Sequence, residues 1–149
     1  MNVLVRQALA ADVEAIYLLG VEDSAFAVSE HIRFYERTEL DEWIVAFRDN
    51  LLLVAEVGDR VVGFLFCKVM SHHWAMLDTL YVHPEWRGKR CGRLLLCRLA
   101  DCLRERGIIY LSTLAAEDAP QIHRVLERLG FSGARSYKWY EAFLEQSRL

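Results

Sequence analysis

The stretch that most constrains this chain runs from a strand through a glycine loop into an amphipathic helix, between residues 74 and 106. Residues 74–82 read as an apolar strand that ends at Pro84. Residues 92–106 carry apolar side chains at three- and four-residue spacing, and Gly107 is a plausible stop. A strand that leads directly into a helix of this kind predicts a layered α/β fold, with the helix packed on a sheet.

The loop between this strand and helix is strongly basic. Arg87, Lys89, Arg90 and Arg93 lie within seven residues of a chain whose formal net charge is -3. A helix start carries partial positive charge and normally recruits acidic or hydroxyl residues, so these cations predict an external anion. Gly88 and Gly92 would let the backbone approach it closely.

Whole-chain properties narrow the class of protein. With 149 residues, of which 54% are hydrophobic and 26% charged, residues 1–149 are expected to form a single globular domain. The negative net charge argues against nucleic acid as a partner. No run of 18 apolar residues and no signal-peptide pattern is present, so we expect a cytoplasmic protein with no membrane contact. The four cysteines form no CxxC pair, which argues against a metal site.

Hydrophobic periodicity predicts the order β α α β β β α β α β, which implies a mixed sheet with helices on both faces. Gly58 and Asp59 separate two apolar runs and indicate a hairpin. The predicted strands cover residues 2–8, 51–57, 60–69, 74–82 and 108–114, and residues 131–144 are predicted to form one strand or a bent pair of strands. The predicted helices cover 11–20, about 32–50, 92–106 and 119–129.

Two familiar phosphate-binding patterns do not fit the basic loop. The P-loop pattern GxxxxGK[ST] fails because His83 stands at its first glycine and Arg90 at its Ser or Thr. The dinucleotide pattern GxGxxG fails because the glycines lie four residues apart.

A third pattern does fit. The strand LDTLYV, the loop HPEWRGKRCG and the following helix resemble the acetyl-CoA motif of the GNAT superfamily of N-acyltransferases, whose signature is [Q/R]-x-x-G-x-[G/A]. Arg87 fills its first position and Gly92 its last, while Arg90 replaces its glycine. We expect Arg90 to keep a negative φ and still offer its N–H. The later stretch VLERLGF is similar to a second motif of the family.

The resemblance implies a GNAT-like α/β (α+β) fold, with a mixed, mostly antiparallel sheet of six to seven strands. It implies acetyl-CoA as co-substrate and no metal. The pyrophosphate would bind the N–H groups from about residue 86 to 92, and the pantetheine arm would lie along the end of the preceding strand. The implied coenzyme-binding residues are Leu80, Tyr81, Val82, Arg87, Gly88, Lys89, Arg90, Cys91, Gly92 and Arg93.

Asp78 is the candidate general base. An amine must lose a proton before it can attack a thioester, and a carboxylate can hold the ammonium and accept that proton. Strand alternation places Asp78 on one face with Leu80 and Val82, along the expected coenzyme groove. LDTLYV resembles the amine-acetylating branches of the family, in which an acidic residue often occupies this place. The alternative is a strand aspartate with a purely structural partner.

The residue that protonates the leaving thiolate departs from the family pattern. Where many members have tyrosine, this chain has Leu126. We assign the role to Tyr137, with Tyr140, His123 or the absence of a dedicated acid as alternatives. Ala119 stands where the family has an asparagine that contacts pantetheine.

Phe26, His31 and Tyr35 are the candidate acceptor-binding residues, since they lie in the acidic and aromatic stretch EDSAFAVSEHIRFYE. The alternative is a solvated connection between helices with a few core aromatic residues. The expected function is acetyl transfer by direct attack of a primary amine, on a small molecule or on a protein or peptide. The alternative is a non-catalytic CoA-binding sensor or interaction domain. The apolar C-terminal stretch YKWYEAFL suggests either sheet closure or a homodimer contact.

Overall fold

The structure, a computed structural model, describes residues 2–26 and 34–145. Five strands and four α-helices are present in these ranges, joined in part by short 3-10 turns. In chain order they are β1 (Leu4–Gln7), α1 (Val13–Glu22), α2 (Arg37–Val45), β2 (Asn50–Val57), β3 (Arg60–Val69), β4 (Trp74–Val82), α3 (Cys91–Glu105), β5 (Tyr110–Thr113) and α4 (Pro120–Arg128).

One mixed sheet has the strand order β1-β2-β3-β4-β5. Its first three pairings are antiparallel, and the pairing of β4 with β5 is parallel. The parallel pair is joined through α3, as a crossover connection requires. The mixed, mostly antiparallel sheet is therefore confirmed.

The sheet is covered on both faces, which explains the long apolar runs of β2 and β3. On one face α3 packs Leu95, Leu99 and Cys102 against the sheet. On the other face α1 and α2 contribute Ile16 and Leu40, among others. Residues buried from both sides show no polar alternation, so residues 51–55 are all buried.

The edge strand β1 is fixed by a charged network. Arg6 donates to both carboxylate oxygens of Asp12, at 2.7 and 3.0 Å, and also contacts Glu56 on β2. Burial acts to raise the pKa of Asp12, but the hydrogen bonds from Arg6 and from the Leu9 N–H outweigh it and lower that pKa. The network ties the start of α1 to the sheet.

Two glycines allow close packing around the sheet. A Cβ on Gly20 of α1 would lie 2.2 Å from the ring of Phe34. A Cβ on Gly63 of β3 would lie 2.7 Å from the carbonyl oxygen of Tyr81 on β4. Gly63 therefore requires glycine, because the obstacle is backbone, whereas a side chain at position 20 would require the ring of Phe34 to move.

The chain divides into two compact units, residues 1–114 and 115–149. The sheet and helices α1 to α3 belong to the first unit, and α4 to the second. The expectation of a single domain over 1–149 stays a prediction.

The predicted sheet of six to seven strands is wrong, because the described residues form a sheet of five. The missing strand is the one predicted over residues 131–144, where the described chain is neither helix nor strand. Apolar and polar alternation is only half of a strand's requirement, since a strand also needs a neighbour for its backbone groups. The remaining predicted order is confirmed element by element. No helix in the described ranges is long and apolar enough to cross a membrane.

Candidate functional site

The loop between β4 and α3 turns through the left-handed region twice. Gly88 has a φ of 75° and Arg90 a φ of 67°. Three N–H groups of the loop are used inside it, because those of Trp86, Arg87 and Lys89 donate to the carbonyl groups of residues 83, 84 and 86. The described hydrogen bonds leave the N–H groups of Gly88, Arg90, Gly92 and Arg93 unused.

The conformation of Arg90 corrects the expected negative φ. Arg90 is the N-cap residue of α3 and adopts φ 67° and ψ 0°. This conformation explains why the family signature has glycine at that position, since a residue with a Cβ is strained there by about 1–2 kcal/mol. The N–H remains available despite the strain.

The basic side chains divide into two groups. Arg87 donates from Nε to the carbonyl oxygen of Val82 at 2.8 Å and lies 3.6 Å from a carboxylate oxygen of Asp23, so it braces the end of β4. Lys89 lies over the ring of Trp86 at 4.7 Å. Among the described residues, neither Lys89, Arg90 nor Arg93 forms an ion pair. Three unpaired cations and four unused N–H groups fit a bound pyrophosphate.

The far half of β4 has an open edge. Its parallel pairing with β5 ends at Leu77, whose carbonyl oxygen accepts a bond of 2.9 Å from the Thr113 hydroxyl. No strand in the described part of the chain pairs with β4 on this side beyond Leu77. An extended ligand segment could therefore add to β4 there as a strand would.

The expectation for Tyr81 needs correction at this edge. The His83 N–H donates to the Val62 carbonyl, and antiparallel bonding alternates, so the main chain of Tyr81 faces Phe64 on β3. Its side chain is buried and stacks on Phe64 at 5.3 Å. The main chain of Leu80 and Val82 instead faces the open edge, although Arg87 already occupies the Val82 carbonyl.

A β-bulge lies at the start of this open edge. Phe66 pairs with Thr79 and Cys67 with Leu77, which leaves Asp78 as the extra residue of β4. The bulge reverses the alternation of β4 side chains between the two faces of the sheet. Before it, Ala75 and Leu77 belong to the core under α3; after it, Leu80 and Val82 take that face.

This reversal corrects the predicted orientation of Asp78. Asp78 does not share a face with Leu80 and Val82; it lies with Met76 and Phe66 on the face of the sheet that α1 and α2 cover. The sequence-based alternation fails here because one extra residue inverts every later position.

Asp78 ends a chain of hydroxyl hydrogen bonds. The buried Thr79 hydroxyl donates to Asp78 Oδ2 at 3.2 Å, and the Tyr35 hydroxyl lies 3.1 Å from Thr79 Oγ1. Since the single Thr79 proton is directed to Asp78, Tyr35 is the donor to Thr79. Desolvation by the surrounding atoms raises the pKa of Asp78, although the bond from Thr79 acts to lower it. The carboxylate keeps contact with solvent.

Asp78 opens into a cavity of about 330 Å³, here called the Asp78 pocket. Trp43 and Phe66 form its flat wall, with ring centroids 4.1 Å apart and planes at 7°. Tyr35 meets Trp43 edge to face at 4.6 Å. The pocket is lined by Tyr35, Trp43, Asn50, Phe66, Lys68, Met70, Met76 and Asp78.

The structure brings only part of the predicted acceptor set to Asp78. Tyr35 lines the Asp78 pocket. Phe26 instead packs among core aromatic rings, 5.2 Å from Phe34 and 5.8 Å from Tyr81. His31 lies outside the described residues. Tyr137 belongs to the second unit, where its side chain is 80% exposed.

Sequence reasoning missed six of the eight residues that line the pocket: Trp43, Asn50, Phe66, Lys68, Met70 and Met76. It also missed Thr79, which hydrogen-bonds to Asp78. Lys68 could have been identified, because it is the one cation within the apolar run 61–69. The other residues are recognisable only from the fold, since their neighbours in the pocket come from other elements. Within the described ranges, no cluster of three His, Cys, Asp or Glu side chains could hold a metal ion.

A larger cavity of about 520 Å³ lies beside the turn that precedes β4, and it shares Met70 with the Asp78 pocket. It is lined by residues such as Arg48, His72 and Arg106 and contains none of the predicted site residues. The basic loop follows the other end of β4, after Val82.

The chain is similar to known proteins both in sequence and in fold. Residues 21–131 match the model of the acetyltransferase (GNAT) family. Three solved structures share the fold: the PaiA N-acetyltransferase of Thermoplasma acidophilum in complex with coenzyme A, a ribosomal-protein-alanine N-acetyltransferase of Brucella melitensis, and an aminoglycoside acetyltransferase from an uncultured soil metagenomic sample in complex with sisomicin.

The three neighbours are similar to the chain over nearly its full length. The first is 20% identical with a TM-score of 0.80, covering 92% of this chain and 94% of that one. The second is 20% identical with a TM-score of 0.75, covering 96% and 100%. The third is 14% identical with a TM-score of 0.77, covering 95% and 96%. At these identities the likeness establishes a common fold.

Proposed function

Because this chain belongs to the acetyltransferase (GNAT) family, we propose that it transfers the acetyl group of acetyl-CoA to a primary amine. The protein is an acyltransferase, and its family uses acetyl-CoA. The proposal concerns the acceptor, which we take to be an amine, and the residues that act on it.

The coenzyme-binding residues follow from the unused groups of the loop and the edge. The N–H groups of Gly88, Arg90, Gly92 and Arg93 would hold the pyrophosphate, together with the side chains of Lys89, Arg90 and Arg93. Leu80 and Val82 would bind the pantetheine arm through the open edge of β4. The bound coenzyme supplies an acyl thioester, which the acceptor amine attacks directly.

The single observation that carries the mechanism is the position of Asp78. The bulge, the end of the β4–β5 pairing and the mouth of the Asp78 pocket all meet at this residue. An aliphatic amine has a pKa of about 10.4 and arrives protonated at pH 7. Asp78 would hold the ammonium, accept its proton and leave a neutral amine for attack.

Thr79 and Tyr35 position this base. Thr79 donates to Oδ2 of Asp78 and Tyr35 donates to Thr79, and no hydrogen bond within the described residues engages the second oxygen of Asp78. The raised pKa of Asp78 suits the role, because a carboxylate with a higher pKa is a stronger base. Tyr137 stays the proposed proton donor to the leaving thiolate.

A direct test is a thiol-release assay with acetyl-CoA and a panel of polyamines, aminoglycosides, amino acids and peptides, with mass spectrometry of the products. We expect at least one acceptor to gain a single acetyl group on nitrogen. Asp78→Asn should lower turnover of that acceptor at pH 7 by about 10²- to 10⁴-fold, the range of a lost general base.

Asp59→Asn is the matched control, since Asp59 lies exposed in the turn between β2 and β3. This variant should keep wild-type turnover. Binding of coenzyme without acetylation of any amine would contradict the proposal and favour the alternative of a CoA-binding sensor. Full activity in Asp78→Asn would remove Asp78 from the mechanism. A small-molecule or peptide amine as partner, the cytoplasmic location and a homodimer stay predictions.

A further inference from the structure

The Asp78 pocket holds two opposite charges that are not paired with each other. Lys68 lines the pocket from β3, where it pairs with Met76, and Asp78 lies two residues further along β4. Diagonal neighbours on one face of a sheet lie about 7–8 Å apart. In the described part of the chain Lys68 takes part in no ion pair.

The surface around these charges is apolar and flat. The stacked rings of Trp43 and Phe66 and the side chain of Met76 lie on the same pocket wall. Asn50 pairs with Lys68 across β2 and β3, so its amide is available beside the ammonium group. The pocket therefore presents a cation with an amide donor, an apolar wall and a carboxylate.

We propose that the Asp78 pocket selects a small zwitterionic acceptor, an amino acid or a close analogue, whose amine binds Asp78 and whose carboxylate binds Lys68. The inference rests on the proposed function, because it takes the pocket to be the acceptor site. The body of the acceptor lies against Trp43 and Phe66. A cavity of about 330 Å³ matches a molecule of that size.

The charge of Lys68 argues against a polycationic acceptor. A polyamine or an aminoglycoside carries several ammonium groups, and at least one would approach Lys68 inside the pocket. Like charges brought together are unfavourable even at the exposed position of Lys68, whereas a carboxylate there gains a charge-assisted hydrogen bond. A zwitterion, in contrast, places an opposite charge against both Asp78 and Lys68.

The test compares three compounds for each of three side chains. These are the amino acids L-phenylalanine, L-methionine and L-leucine, the amide of each, and the corresponding amine without the carboxylate. Binding to the protein saturated with coenzyme A is measured by calorimetry, and kcat/KM with acetyl-CoA by thiol release. We expect at least one amino acid to bind and react about 10- to 100-fold better than its amide. Amidation lowers the pKa of an amine, so the amine's own reactivity would favour the opposite order.

Variants at Lys68 isolate the cause of the preference. Lys68→Met keeps the length of the side chain and should make the amino acid and its amide equivalent. Lys68→Glu should reverse the preference. Arg60→Ala is the matched control, because Arg60 is an exposed cation at the other end of β3, and it should behave as wild type.

The two readouts separate this inference from the proposed function. Tighter binding of an amino acid that is lost in Lys68→Met supports the zwitterion site even if no acetyl transfer is seen, in which case the proposed function alone fails. Acetylation with equal binding and kcat/KM for all three forms overturns the zwitterion site and leaves the proposed function intact. Absence of binding by every compound also overturns it, as does a preference that persists in Lys68→Met.

Discussion

Among single residues, Arg90 is the strained one in the loop between β4 and α3. A left-handed φ of 67° costs a non-glycine residue about 1–2 kcal/mol, and Arg90 adopts it as the N-cap residue at which the loop turns into α3. The sequence predicts which residues carry the positive charge. It does not predict φ at Arg90, because the conformation of one residue depends on the turn on both sides of it.

The four cysteines should differ in the reactivity of their thiols. Cys97 is exposed, whereas Cys67, Cys91 and Cys102 are buried. Burial raises the pKa of Cys67 to about 12 and also raises that of Cys91, so neither forms the reactive thiolate readily. Ellman's reagent at pH 8 should therefore modify Cys97 rapidly and the other three only on unfolding.

Cys97→Ser provides the control and a cleaner background for thiol-release assays. The variant should show no fast-reacting thiol in the folded protein. Any rapid modification in Cys97→Ser would mean that one of the three buried cysteines becomes accessible, contrary to the packing described.

At the scale of elements, β4, the loop after it and α3 form the proposed coenzyme site, and most of this segment could be predicted from the sequence. The predicted helix over 92–106 and the observed α3 differ by one residue at each end. The hairpin turn at Gly58 is confirmed, with a φ of 59°. The bulge at Asp78 could not be predicted, because nothing in LDTLYV distinguishes regular alternation from an extra residue; the register with β3 decides it.

The helix start gives a second prediction. Gly92→Asp should lower affinity for coenzyme A by about 10- to 100-fold, because it places a carboxylate where N–H groups and dipole favour an anion. Gly92→Ala is the matched control, since a Cβ there meets only Val82 Cγ2 at 3.6 Å, an ordinary contact. Calorimetric titration measures both affinities.

The coenzyme fragments complete this test. Coenzyme A should raise the melting temperature of the wild type much more than pantetheine, which lacks the pyrophosphate. Equal affinities of Gly92→Asp and Gly92→Ala for coenzyme A, with both variants folded, would place the pyrophosphate elsewhere.

At the scale of the whole molecule, the sequence predicts the order of elements better than their number. Hydrophobic periodicity and turn residues are local, so they identify the nine elements from β1 to α4. Strand pairing is not local, and the final predicted strand over 131–144 failed for that reason. The Asp78 pocket is also a product of the fold, because its walls come from the segment before α2, from α2 itself and from three strands. Only Asp78 and Tyr35 of its lining were predicted.

The pH profile of kcat/KM reports whether Asp78 takes the proton of the acceptor amine. Because the pKa of Asp78 is raised, its basic form is lost at a higher pH than that of an ordinary aspartate. In the wild type kcat/KM should fall as the pH drops through that raised pKa. In Asp78→Asn this acid limb should be absent, and the residual rate should rise tenfold per pH unit toward the pKa of the amine. An unchanged acid limb in Asp78→Asn, with unchanged rates, would show that Asp78 is not the base.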